Sequence, residues 1–176
     1  LMNVFVAAAS IFQIRYLKDV RGYSATLVAA YSILTAIPAS FGLVIGGRLA
    51  DKNGRKRLAV ISIPAGSILV ACSLALSGPI MWVSALSGGI FLGLAYPAMA
   101  VFRNELFPTA HRNLASAIIT TASLIGGSAG LISAGVLLDQ GFSYARVMLG
   151  FAFGPVLVAL LVAFKYPETA HRDLED

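Results

Sequence analysis

Charge is what this sequence has least of. Asp, Glu, Lys and Arg make up only 12% of its 176 residues, whereas they make up about 25% of ordinary soluble domains. The charged residues stand in short clusters between long neutral runs, while the helices and strands of a soluble domain alternate polar and apolar residues. This distribution excludes an ordinary soluble domain and predicts a chain that crosses a membrane several times.

Cysteine and intramembrane acid are also missing. Cys72 is the single cysteine and lies within a neutral run, so the sequence offers neither a disulfide framework nor a cysteine-based metal site. No Asp or Glu lies within a neutral run of membrane-spanning length, and no His-Glu-x-x-His motif is present. These absences argue against an intramembrane enzyme, and we expect no metal and no cofactor.

The neutral runs predict six membrane-spanning helices, because a hydrocarbon core about 30 Å thick needs about 20 helical residues. Five clear spans cover approximately 25–47, 58–77, 79–102, 114–138 and 146–164. A sixth, approximately 1–17, has fourteen residues before its first charge and no initiating Met. We therefore expect the chain to begin inside a longer helix. The segment does not resemble a signal peptide, because it has neither a basic leading region nor a small-residue cleavage site. The predicted fold class is an all-α membrane protein with one six-helix domain, 1–176.

The basic residues indicate how the six spans are oriented. An even number of spans places both chain ends on the same side of the membrane. Nine Lys and Arg residues fall on that side and four on the other, namely Arg15, Lys18, Arg21 and Arg146. The positive-inside rule therefore predicts both termini in the cytoplasm, with the chain in a plasma or inner membrane. This asymmetry accounts for the net charge of +5, and we expect a lipid bilayer and no nucleic acid as partner.

A twelve-residue stretch occurs twice. The segments from Ser40 to Asp51 and from Ser128 to Asp139 are identical at six of twelve positions, and their offset of 88 is half of the 176 residues. Both copies end a neutral run with Gly-x-Leu-x-Asp. A weak repeat within a hydrophobic chain indicates a membrane bundle built from duplicated units.

The loop after the first copy has residues with separate physical roles. Gly47 allows a close approach between helices, and Gly54 can adopt the positive φ of a tight turn. Asp51 follows the predicted end of a helix, whose dipole disfavours a carboxylate there, so we expect a cation or another helix N-terminus as its partner. Arg55 and Lys56 hold the loop at the cytoplasmic face. A generic basic loop that only sets orientation is the alternative.

Three segments together resemble one family. The loop from Gly47 to Lys56 resembles the signature loop of the major facilitator superfamily, which lies between the second and third helices and again between the eighth and ninth. The segment from Arg103 to Arg112, with its Glu-Leu-Phe-Pro-Thr, resembles the stretch before the eleventh helix in sugar-porter-like and metabolite-symporter-like members. Pro167-Glu168-Thr169 is similar to the segment after their twelfth helix. The chain is thus identified as similar to the C-terminal six-helix half of such a transporter.

The resemblance implies a fold and a function. The six helices would form a three-plus-three inverted repeat, approximately 1–77 and 79–165, followed by a cytoplasmic tail over 166–176. This half would rock against a missing N-terminal six-helix half and move a small solute by alternating access, with H+ as a candidate coupling ion. Since no acidic residue lies in a span, a titrating carboxylate would belong to the missing half. The alternative is a non-transporting membrane sensor or scaffold with the same fold.

The resemblance also assigns residues to a cytoplasmic gate. The first loop contributes Gly47, Asp51, Gly54, Arg55 and Lys56. The next loop contributes Glu105 and Arg112, for which an exposed ion pair worth about 0–1 kcal/mol is the alternative. The tail motif is Pro167, Glu168 and Thr169.

Polar residues within the spans are the candidates for contact with a solute. In the family the first, second, fourth and fifth of these spans line the cavity, and the candidates on them are Gln13, Arg15, Tyr31, Thr35, Tyr96 and Thr120, together with Asn3 and Thr121. Arg15 is the natural contact for an anionic solute. Each has an alternative: Ser and Thr often bond the preceding turn of their own helix or a neighbouring helix, and Arg15 can extend to the membrane surface.

Overall fold

Six α-helices make up the regular structure of the computed structural model. It describes residues 1–105, 107 and 111–165, and over 102–105 the backbone alone. The helices are α1 (Met2–Asp19), α2 (Ala25–Asn53), α3 (Arg55–Ser73), α4 (Gly78–Glu105), α5 (Arg112–Asp139) and α6 (Tyr144–Lys165). No β-strand occurs over this part of the chain. The all-α fold class predicted from the sequence is confirmed.

Five of these helices, α2 to α6, are long and apolar enough to cross a membrane. The remaining helix, α1, is shorter, and Arg15, Lys18 and Asp19 stand in its last turns. This division matches the five clear spans and the shorter first span of the sequence. The chain is a multi-pass membrane protein.

Several helix ends differ from the predicted spans. α2 continues past residue 47 to Asn53, and α3 covers Arg55–Ser73 instead of 58–77. The predicted spans stop at charged residues, but a helix continues once its hydrogen-bond ladder has formed. Charged side chains on its last turn can extend into water. Asp51 therefore lies within the last turn of α2 and does not follow the end of that helix.

Local sequence sets the turns between helices. Gly54 joins α2 to α3 with a φ of +95°, and Gly141 joins α5 to α6 with a φ of +88°. The positive φ predicted for Gly54 is therefore confirmed. Glycine suits both turns, because residues with a Cβ rarely adopt such angles. At the start of α2, the Ser24 hydroxyl accepts a hydrogen bond from the backbone N–H of Leu27 at 3.3 Å. This cap satisfies one of the donors left open at the helix N-terminus.

The helices pack as two groups of three. α4 packs along α2 and α3, and α1 packs along α5 and α6. Contacts between α3 and α6 join the two groups, whereas α1 and α2 touch over a short stretch only. Phe5, Tyr16, Tyr31, Met81 and Met148 belong to one buried cluster that both groups share.

Glycines bring backbones together where α2 crosses α4 and where α5 crosses α1. A Cβ atom added at Gly42 would lie 2.7 Å from the carbonyl oxygen of Ile90, and one added at Gly46 would lie 2.5 Å from that of Leu94. At Gly130 an added Cβ would collide with the backbone of Val4. Such contacts are typical of helices that associate in lipid through small residues.

α2 and α5 are the least covered of the five apolar helices. Large apolar side chains stand exposed along both, including Phe41 and Val44 on α2 and Ile125 and Ile132 on α5. α3, α4 and α6 bury roughly twice as large a share of their apolar stretches. α2 and α5, one helix from each group, therefore each have an apolar face that no other part of the described chain covers.

Candidate functional site

An ion pair joins the end of α2 to the start of α3. We call this end of the bundle, where Gly54 joins the two helices, the motif end. Arg55 Nη2 lies 3.2 Å from Asp51 Oδ1, and the side chains are 16% and 70% exposed, respectively. Asp51 stands at the C-terminus of α2 and Arg55 at the N-terminus of α3, and each charge is unfavourable against the dipole of its own helix. Pairing offsets both penalties, so Arg55 is the partner that the position of Asp51 requires.

The close approach to another helix that we expect at Gly47 occurs at Gly46 instead. No described atom lies within 4 Å of a Cβ added at Gly47, whereas one added at Gly46 would meet the backbone of Leu94. The prediction chose the wrong glycine for this packing because a pair of glycines in a helix places only one of them on the packed face. Gly47 is left on the side of α2 that no described residue closely covers.

The remaining gate residues are only partly described. Arg112 begins α5, and its Nε atom is buried with no hydrogen-bond partner among the described residues. Lys56 is half-buried in the first turn of α3. The Glu105 side chain and the tail motif Pro167, Glu168 and Thr169 lie outside the described residues.

At the opposite end of the bundle, a polar cluster joins α1, α2 and α3. Gln13 Nε2 donates a hydrogen bond to the Tyr31 hydroxyl at 2.7 Å and lies 3.5 Å from Ser73 Oγ. Tyr31 is buried, and its ring meets that of Trp82 edge-on with centroids 4.7 Å apart. The two polar groups thus satisfy each other between helices. Gln13 is partly exposed, whereas Tyr31 is not.

The other predicted cavity residues are dispersed. Thr35 donates to the carbonyl oxygen of Tyr31 at 2.9 Å and Thr120 to that of Ser116 at 2.8 Å, so both hydroxyls bond the preceding turn of their own helix. Arg15 pairs with Asp19 at 3.3 Å on the exposed end of α1. Tyr96 is 71% exposed on α4. Over the described chain, no hydrogen bond links Tyr96 or Thr120 to the cluster around Tyr31.

Asn3 and Thr121, which the sequence also suggested, take different positions. Asn3 Nδ2 donates to the carbonyl oxygen of Ser123 at 2.8 Å and so fastens α1 to α5. Thr121 is exposed on α5. Asn3 therefore acts in helix packing, close to Gly127 on the same face of α5.

Several residues of this end were not expected from the sequence. Ser73 and Trp82 surround Tyr31 from α3 and α4. Arg21 donates to the Tyr16 hydroxyl at 2.7 Å and to the carbonyl oxygen of Leu76, so it ties the turn after α1 to the turn after α3. No motif marks them, and apart from Tyr16 these partners lie more than forty residues away in sequence.

An apolar groove of about 400 Å³ lies between α2 and α4. Its walls include Ile37, Phe41, Ile45, Ile90 and Leu94. No predicted cavity residue lines it, so the polar candidates and this groove are separate features.

Ser128 stands in a Gly-x-Ser-x-Gly sequence, a spacing that hydrolases use for a nucleophile. That chemistry requires a sharp strand-to-helix turn that exposes the hydroxyl. Here Ser128 lies within α5 and donates to the carbonyl oxygen of Leu124 at 3.1 Å. The spacing reflects glycines used for helix packing, and the geometry of a nucleophile is not present at this residue.

Comparison with known proteins gives consistent matches. A family model described as the Major Facilitator Superfamily matches residues 1–176. The plastidic glucose transporter 4 of Arabidopsis thaliana is 36% identical over 135 residues, which are 74% of this chain and 24% of that protein. The cis,cis-muconate transport protein of Acinetobacter baylyi (strain ATCC 33305 / BD413 / ADP1) is 33% identical over 134 residues, 74% of this chain and 32% of that protein. The gallate transporter of Pseudomonas putida is 31% identical over 133 residues, which are 74% of this chain and 29% of that protein. The matched part thus spans 24–32% of the length of these relatives.

Proposed function

The chain belongs to the major facilitator superfamily, and from this premise we propose that it is the C-terminal half of a secondary active transporter that moves a small solute by alternating access. The observation that carries the proposal is the family match from residue 1 to residue 176. Three relatives that it resembles are named as transporters of glucose, cis,cis-muconate and gallate. Their length leaves room for a second, N-terminal bundle as partner of this one.

The proposed bundle is a three-plus-three inverted repeat, 1–77 and 79–165, with a tail over 166–176. The helix contacts support this arrangement. In such a repeat α1 corresponds to α4, α2 to α5 and α3 to α6. The α1–α5 contact then corresponds to the α4–α2 contact, and the α1–α6 contact to the α4–α3 contact, and all four contacts are present. The α3–α6 contact turns into itself. Duplicated units related by an axis in the membrane plane would have this pattern.

The missing half would cover α2 and α5, the two least buried helices. In this arrangement the Asp51–Arg55 pair, with Gly47, Gly54 and Lys56, latches the cytoplasmic side by engaging the other half. Glu105, Arg112 and the tail motif at Pro167, Glu168 and Thr169 belong to the same gate. Both termini are cytoplasmic, in the plasma or inner membrane, as the distribution of basic residues favours.

The solute would bind near the midplane, between the two halves. Tyr96 is 71% exposed, and Gln13, Arg15, Tyr31, Thr35 and Thr120 complete the proposed set. Arg15 keeps N–H donors from which a carboxylate or a hydroxyl can accept a hydrogen bond, and Gln13 keeps its amide oxygen as an acceptor. Coupling to H+ would use a carboxylate of the missing half.

Uptake by the complete protein in proteoliposomes tests the proposal. Radiolabelled gallate, cis,cis-muconate and glucose are offered separately, with and without an inward proton gradient. We expect saturable uptake of at least one solute, and Tyr96→Ala should lower its rate about tenfold if one hydrogen bond is lost. Phe153→Ala, at an exposed apolar position on α6, is the matched control and should leave the rate unchanged. Flux equal to that of empty liposomes for a wide solute panel would instead favour the sensor or scaffold.

A further inference from the structure

The two copies of the repeat have the same environment along their helices. Gly42 and Gly130 are both buried. Val44 is 63% exposed and its equivalent Ile132 is 67% exposed. α2 and α5 therefore turn equivalent faces toward the outside of this chain.

Equivalent hydrogen bonds and contacts support the same match. Ser40 donates to the carbonyl oxygen four residues earlier at 3.0 Å, and Ser128 does so at 3.1 Å. The glycine two residues later meets the backbone of α4 in the first copy and of α1 in the second. These are the helices that the repeat relates to each other.

The two copies also end alike. Asp51 and Asp139 are exposed in the last turn of α2 and of α5. A glycine with positive φ follows each, Gly54 at +95° and Gly141 at +88°. A carboxylate in a last turn faces the negative end of its helix dipole, and a nearby cation offsets this cost.

The two copies differ in whether a cation pairs with the aspartate. Asp51 pairs with Arg55, four residues later. Four residues after Asp139 stands Ser143, whose hydroxyl accepts a hydrogen bond from the backbone N–H of Arg146 at 3.4 Å. Within the described chain no ion pair involves Asp139.

The other cations at this end do not supply the missing charge. Arg15 pairs with Asp19, and Arg21 bonds to Tyr16 and Leu76. The exposed side chains of Lys18 and Arg146 form no ion pair with Asp139. The environment of Asp139 thus calls for a cation from outside the described chain.

We infer that Asp139 is a second latch residue, which closes the external side of the transporter by pairing with a Lys or Arg of the other half. The inference rests on the proposed function and extends it from the cytoplasmic side to the external side. Because the two copies cross the membrane in opposite directions, the latches stabilise opposite states. Loss of the Asp51 latch favours the state open to the cytoplasm, and loss of the Asp139 latch favours the state open to the outside.

Cysteine accessibility in the complete transporter measures these states without a known solute. In a background with Cys72→Ala and no other cysteine, Ile132→Cys and Val44→Cys are separate reporters. Each stands seven residues before its aspartate, about 10 Å along the helix. A membrane-impermeant maleimide is added to intact cells for the reporter at 132 and to inside-out vesicles for the reporter at 44.

We expect Asp139→Asn to raise the labelling rate at 132 about three- to fivefold, the scale of one exposed ion pair, and to lower the rate at 44. Asp51→Asn should raise the labelling rate at 44 and lower the rate at 132. Asp139→Lys should raise the labelling rate at 132 more than Asp139→Asn does, because repulsion between two cations replaces the attraction. Gln140→Ala, at the exposed neighbouring position, should match the unmodified protein.

Two results would overturn the latch at Asp139. One is unchanged labelling in both Asp139 variants while Asp51→Asn shifts its reporter. The other is a shift in the same direction as that of Asp51→Asn. If neither reporter is labelled from its own side in the unmodified protein, alternating access fails, and the inference fails with it.

Discussion

At the scale of single residues, hydrogen bonds between distant positions hold the two helix groups together. Gln13 and Tyr31 come from helices that otherwise touch over a short stretch, and their bond of 2.7 Å joins them. In lipid, a polar group that lacks a partner is costly, so the pair stabilises the bundle by making each member satisfied. The same two residues were predicted from the sequence as solute contacts, which remains a prediction.

A double-mutant cycle measures this bond. Tyr31→Phe leaves the Gln13 amide without its main partner and should lower the free energy of unfolding by about 0.6–1.5 kcal/mol. Gln13→Leu should lower the free energy of unfolding by a similar amount. The double variant should lose less than the sum of the two single losses, because both polar groups are then gone. Thermal unfolding in detergent is the measurement. Thr35→Val, which removes a hydroxyl bonded within its own helix, is the control, and additive losses at Gln13 and Tyr31 would contradict the coupling.

The Asp51–Arg55 pair carries the second residue-scale prediction. Asp51→Asn keeps the shape of the side chain but removes the charge that offsets Arg55, so the cytoplasmic latch weakens. We expect the initial uptake rate of the complete transporter to fall several-fold while expression stays near that of the unmodified protein, since an exposed pair contributes only about 0–1 kcal/mol to folding. An unchanged uptake rate in Asp51→Asn would remove the latch role.

At the scale of helices, contact between backbones decides which helices are neighbours. The glycines on α2 leave α4 close enough that a single added Cβ would overlap its backbone. Backbone cannot rotate away as a side chain can, so the helices must separate to admit even a methyl group. The α2–α4 contact therefore depends on Gly42 and Gly46 together.

Gly46→Ala tests this contact with the smallest possible change. Its Cβ would lie 2.5 Å from the carbonyl oxygen of Leu94, and overpacking of this kind costs about 1–3 kcal/mol. We expect a lower melting temperature in detergent. Gly150→Ala on α6 is the matched control, because no described atom lies within 4 Å of its added Cβ. Equal melting temperatures for the two variants would show that α2 and α4 are further apart than described.

At the scale of the whole molecule, the turns alternate between the two ends of the bundle. Gly54 belongs to the motif end, and Gly141 to the opposite end, with an odd number of spans between them. The excess of basic residues at the motif end predicts, by the positive-inside rule, that this end lies in the cytoplasm. The predicted orientation follows from the loops, because their basic residues differ in number between the two ends.

Labelling of single cysteines in intact cells tests the orientation. Asn53→Cys at the motif end should resist an impermeant thiol reagent until the cells are permeabilised, and Gln140→Cys should react at once. Both positions are exposed, so a difference in rate reports the side of the membrane. Labelling of both in intact cells, or the reverse pattern, would contradict cytoplasmic termini.

Helix number, span positions and the turn at Gly54 could be predicted from the sequence, because hydropathy and backbone conformation are local properties. The close approach expected at Gly47 belongs to Gly46, and the Asp51 partner could be named only as a cation or a helix N-terminus. Thr35 and Thr120 bond their own helices, an alternative that the sequence left open. Contacts of this kind depend on which face of each helix is turned inward.

The sequence by itself determined that this protein lies in a membrane, that it has several membrane-spanning helices, and that two of its segments resemble each other. These properties follow from the transfer of each segment from water to lipid, which depends on its own residues. Only the tertiary structure decided that α1 packs on α5 and α2 on α4, that Gln13 meets Tyr31, and that Asp139 has no ion-pair partner within the described chain whereas Asp51 has one. The reason is physical: lipid is as apolar as the side chains of the spans, so burial of apolar surface does not select one neighbour over another, and small residues and polar pairs decide which helices meet.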